Sequence, residues 1–150
     1  MFNRDELQSH LRPAVLVGTA VVASLVLYLV LAEVLRAVYK PFRGFAAVAD
    51  VQPARYVVFG AAVVVIIAIR ILRPRLLKLD PQADPKSVLV RLQRAAVLTL
   101  VLGEVPGILG LGLFLVTGNN FDFYVLLFAS LLLVFMYFPR RAAWEEWSSK

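Results

Sequence analysis

The stretch Leu98–Val116, LTLVLGEVPGILGLGLFLV, places one carboxylate, Glu104, inside a run otherwise apolar enough to cross a bilayer. A charge near the bilayer centre costs at least about 2.5 kcal/mol on insertion scales, so an intramembrane ionisable residue is a functional candidate by default. Three arrangements relieve that cost: protonation, hydrogen bonding inside a helix bundle, or pairing with a cation. The nearest cation along the sequence pattern is Arg70, near the end of the second apolar run and several ångströms lower. Neutral partners are better placed. Counted from the helix ends, Ser24 in the first run and Ser130 in the fourth fall at depths similar to Glu104, so a midplane cluster of Glu104, Ser24 and Ser130 is expected. A carboxylate reached by water would bind and release a proton or cation. A sealed one would only hold helices together.

The residues beside Glu104 suit either role. Gly103 and Gly107 form a small-xxx-small pair, with Gly110 and Gly112 following. Such residues let helix backbones approach closely. The third helix is therefore expected to sit centrally, with its Gly103, Gly107 and Gly110 positions against a neighbour. Pro106 has no N–H to donate and frees the carbonyl near Leu102.

Other chemistry is poorly supplied. Cysteine is absent, so thiolate ligands, disulfides and a cysteine nucleophile are excluded. The single histidine, His10, lies in the polar N-terminal segment and reads as a solvated residue, because a metal site needs several converging ligands. The glycines lie inside an apolar run rather than after a strand, which argues against a nucleotide-binding loop. No enzyme activity and no cofactor are expected.

These residues must be positioned by a membrane domain. The hydrophobic fraction is 61% and the charged fraction 17%, more apolar surface than one small core can bury, so lipid must solvate the rest. A spanning helix needs about 20 mainly apolar residues. Four runs qualify: residues 13–35, 56–72, 95–117 and 123–138. None alternates as barrel strands do. The expectation is one all-α domain over 1–150, a polytopic four-helix bundle. From its start at Ala95, Glu104 would lie roughly 14 Å into its span.

The basic residues set the expected orientation. Four spans put both termini and the 73–94 loop on one side, with twelve Lys and Arg residues, against Arg36, Lys40, Arg43 and Arg55 on the other. Both termini are expected in the cytoplasm, in a bacterial inner membrane. The net charge of +6 sits beside apolar runs, so anionic lipid headgroups, not nucleic acid, are the expected counter-charge.

The 73–94 loop carries Pro74, Pro81 and Pro85, which should break a long helix. The outer segment YKPFRGFAAVADVQPAR is expected either to lie flat at the interface or to form an irregular loop with Phe42 and Phe45 buried. GNN at 118–120 should turn the last two helices antiparallel. Trp144 and Trp147 in the 139–150 tail read as an interfacial belt. Glu33 and Arg36 should form an interfacial pair worth little.

Two resemblances follow from these motifs. The run GEVPGILGLGLFLVTG resembles the carboxylate-bearing helix of rotary ATPase proteolipid (c-ring) subunits, with Glu104, Ile108, Gly110 and Leu111 at the matching positions. That resemblance implies a carboxylate that binds and releases a transported proton or sodium ion. Over most of its length the chain is similar to uncharacterised small four-span bacterial integral membrane proteins, through ARYVVFG, IRILRPRLLK, GEVPGILGLGLFL, DFYVLLFASLLL and YFPRRAAWEEW. This second resemblance implies the membrane architecture and no activity. The leading expectation is a structural or accessory membrane protein, alone, as a homo-oligomer or in a larger complex. The alternatives are a proton or cation path centred on Glu104 and a binder of lipid or another hydrophobic ligand.

Overall fold

The computed structural model describes residues 4–46, 50–77 and 85–139. The expected tryptophan belt at Trp144 and Trp147 and the expected break at Pro81 lie outside the described residues.

Four helices follow in order: α1 Arg4–Val38, α2 Gln52–Leu76, α3 Pro85–Thr117 and α4 Asn120–Tyr137. There is no strand among the described residues. Each helix holds a stretch long and apolar enough to cross a membrane. The helices outrun the apolar runs. α2 continues through Pro74 to Leu76, and α3 starts at Pro85, ten residues before Ala95. Two of the three prolines expected to break the basic loop thus lie within helices. Pro85 opens α3, where its missing N–H would have had no partner anyway. Behind it, Lys86, Arg91, Gln93 and Arg94 are good helix formers, so polarity marks where α3 leaves the apolar layer and not where it ends. At 33 residues α3 is roughly 50 Å long, and Glu104 lies three residues past its midpoint.

α3 is the central helix. It contacts α1, α2 and α4, and α1 also contacts α4. The main apolar cluster joins Val21, Leu25 and Ala32 of α1 to Leu100 and Phe114 of α3 and to Phe123, Leu127 and Val134 of α4. A smaller one, Leu11, Ala14, Leu89 and Leu92, closes the α1–α3 contact at the end of the bundle where the chain begins. α2 contributes only Ala62 and Ile69 as fully buried residues and exposes Val57, Val63, Val64, Ile67 and Ile71.

The turn between α3 and α4 is tight, as the GNN motif requires. Gly118 adopts a φ of 70°, its N–H donates to the Phe114 carbonyl at 2.7 Å, and Asn119 Oδ1 caps α4 by accepting the Phe121 N–H. The α1–α2 loop crosses this turn. Phe45 N–H donates to the Leu115 carbonyl, and Gly44, at a φ of 82°, presses on the backbone of Val116 and Thr117. Phe42 stacks on buried Phe114 with centroids 4.9 Å apart, whereas Phe45 is 66% exposed. Over residues 39–46 the segment is an irregular loop, with Phe42 half-buried and Phe45 exposed.

Candidate functional site

Glu104 is half-buried on the side of α3 that meets α1. Its Oε1 accepts a hydrogen bond from the Tyr28 hydroxyl at 2.7 Å. Neither expected serine is its partner. Ser24 donates to the Ala20 carbonyl of its own helix at 3.1 Å, the back-bonding available to any helical serine. Arg70 is exposed on α2, and no ion pair joins it to Glu104 among the described residues.

Ser130 does reach α3, but through backbone. Its Oγ donates to the Gly103 carbonyl at 2.6 Å and accepts the Gly107 N–H at 2.8 Å. In an uninterrupted helix those two groups bond each other. The hydroxyl of α4 therefore bonds both groups of one rung of the α3 ladder. The adjacent rung is missing, because Pro106 has no N–H for the Leu102 carbonyl. Ser130 thus meets α3 one rung from the proline gap, beside Glu104. Ser130 is fully buried, so without α3 its hydroxyl would be desolvated and unpaired.

The glycines explain how α4 comes close enough. A Cβ on Gly107 would meet Leu25 Cδ2 at 2.5 Å and Ser130 Oγ at 3.2 Å. One on Gly110 would meet Leu126 Cβ at 2.8 Å. Gly103 faces Val134 and Leu133 at ordinary contact distance, and Gly112 faces open space. Gly107 and Gly110 are thus the positions where a side chain does not fit.

Four further contacts tie helices at the two ends. At the turn end, Asp122 is buried on α4 and accepts two bonds from Arg55 of α2, from Nε at 2.6 Å and from a terminal nitrogen at 2.9 Å. Asn119 Nδ2 donates to the same carboxylate at 3.0 Å. In sequence Arg55 stands out only as an outer charge, and Asp122 not at all. An acid in the first turn of an apolar helix and a lone arginine opening α2, both at the same end, were the available signal. Also there, the expected Glu33–Arg36 pair forms at 3.0 Å and gains Tyr124 of α4, which hydrogen-bonds both residues. At the opposite end, His10 Nδ1 lies 2.8 Å from Gln93 Oε1 of α3, so the histidine is an interhelical link and not a solvated side chain. Arg73 of α2 stacks over the Tyr137 ring of α4, 4.5 Å from its centroid.

Three cavities among the described residues are lateral grooves. One of about 640 Å³ runs along α1 from Arg12 to Ala23, one of about 400 Å³ lies between Val22 of α1 and Phe135 of α4, and one of about 510 Å³ lies between Leu76 of α2 and residues 93–101 of α3. No group of metal-ligating side chains converges among the described residues. No family model, no curated protein and no solved structure matches this chain.

Proposed function

We propose that this chain is a structural or accessory membrane protein in which Glu104 fastens α3 to α1 rather than carrying an ion. The observation behind this reading is the Tyr28–Glu104 hydrogen bond, which meets the midplane carboxylate with a neutral donor from a neighbouring helix. Ser130, Asp122 and His10 act in the same way, each joining two helices. The excess of Lys and Arg on one side supports both termini lying inside, in a bacterial cytoplasmic membrane. The apolar faces left open on α1 and α2 suit lipid or a membrane partner.

Reconstitution into liposomes tests the reading. The wild type and Glu104→Gln are expected to fold alike and to pass protons and sodium at the rate of empty vesicles. A wild-type flux abolished by Glu104→Gln would replace this reading with the ion path.

A further inference from the structure

The groove between α2 and α3 has a polar end and an apolar body. At its polar end stand Arg94, exposed, and Gln93. Gln93 is oriented by His10, which takes up its Oε1 and leaves the amide nitrogen to donate. No salt bridge reaches Arg94 among the described residues. Above them, Val97, Leu98 and Val101 of α3, with Leu76 of α2, form the wall. Leu98 and Val101 are 40% and 49% exposed, so the bundle itself leaves this wall uncovered. Arg94 to Val101 spans roughly 10 Å along the helix, enough to run from headgroup level into the hydrocarbon layer. The groove volume of about 510 Å³ falls in the roughly 300–1,000 Å³ range of small-molecule sites.

We propose that this groove binds one anionic phospholipid, its phosphate held by Arg94 and the Gln93 amide and an acyl chain laid along Val97, Leu98 and Val101. The occupant follows from the pairing of a cation with an apolar trough on one helix face. A zwitterionic lipid fills the trough equally well but brings its own cation to Arg94. A neutral apolar ligand leaves Arg94 unused. The site is separate from Glu104, so it stands whether or not that residue carries an ion.

Native mass spectrometry of the full chain released from detergent, with phosphatidylglycerol or phosphatidylcholine added, tests the assignment. The wild type is expected to retain one phosphatidylglycerol per chain, about fivefold in excess of phosphatidylcholine, the ratio one basic side chain supplies beside an anionic headgroup. Arg94→Gln should bring that ratio close to one, and Arg94→Lys should keep most of it. Val101→Trp, which fills the trough, should reduce retention of both lipids. Arg70→Gln removes a charge outside the groove and should leave the ratio unchanged. Equal retention of the two lipids by the wild type would overturn the proposal. So would an Arg70→Gln variant that loses as much preference as Arg94→Gln, since the attraction would then be diffuse.

Discussion

Alanine substitution along the glycines of α3 should give a rank order that follows the space around each one. Every Gly→Ala change in a helix gains about 1 kcal/mol of intrinsic propensity. Against that gain stands the contact the new methyl makes. At Gly110 it meets Leu126 Cβ at 2.8 Å, an atom fixed to the α4 backbone that no rotamer change can withdraw, so the two helices must separate. Overpacking of this kind costs about 1–3 kcal/mol, and the separation also stretches both bonds of Ser130. The net effect of Gly110→Ala is a loss of about 1–2 kcal/mol. At Gly107 the first obstacle is Leu25 Cδ2, the end of a flexible side chain, although Leu25 is only 1% exposed and has little room to turn. Gly107→Ala should lose up to about 1 kcal/mol. Gly103 meets only ordinary contacts from 3.5 Å outward and Gly112 meets nothing, so both substitutions should be neutral or stabilising by up to about 1 kcal/mol. Unfolding in mixed micelles by added denaturing detergent, followed by circular dichroism, reads these differences. Equal stability of the Gly110→Ala and Gly112→Ala variants would refute the close α3–α4 contact.

Other outcomes follow from the polar links. Arg55→Leu leaves the buried Asp122 carboxylate without its cation and should cost about 3 kcal/mol in the same unfolding titration. The double change Arg55→Leu/Asp122→Leu should recover part of that loss; a double variant less stable than both singles would contradict the argument. Ser130→Ala should cost only about 1 kcal/mol, because interhelical bonds in membranes average about 0.6 kcal/mol and the Gly103 carbonyl and Gly107 N–H can bond each other within α3. A loss well above about 3 kcal/mol would contradict this. The chain has no cysteine, so single introduced cysteines report orientation cleanly. One at Asn120 should react with an impermeant reagent from outside intact cells, and one at Ser87 only after permeabilisation; the reverse pattern would invert the orientation.

The membrane architecture was legible because it rests on composition: four apolar runs announce four spanning helices whatever their packing. The central place of α3 was legible for a related reason, since Gly107 and Gly110 make sense only against a close neighbour. Helix ends were less so, because Lys86, Arg91 and Arg94 are polar yet strongly helical, and Pro85 starts a helix as readily as it stops one. The partner of Glu104 was missed through matching residues by Cα depth. Tyr28 carries its hydroxyl far from its Cα, and helical side chains lean toward the N-terminus, so its reach is a turn or more from its position in the sequence. The usable signal was that a tyrosine inside an apolar span needs a hydrogen-bond partner for its hydroxyl. Ser24 and Ser130 look alike in sequence; one bonds its own helix and the other its neighbour's, a difference set by helix rotation that periodicity did not resolve.

The Tyr28–Glu104 bond is the claim on which the functional reading turns, and a double-mutant cycle measures it directly. Tyr28→Phe, Glu104→Leu and the double variant, unfolded in the same mixed micelles, give the coupling between the two side chains free of their separate effects. The expected result is a favourable coupling between about 0.6 and 1.7 kcal/mol, the average and upper range of interhelical hydrogen bonds in membranes. A coupling indistinguishable from zero would mean that Glu104 is not held by Tyr28, and the structural role assigned to it would fall.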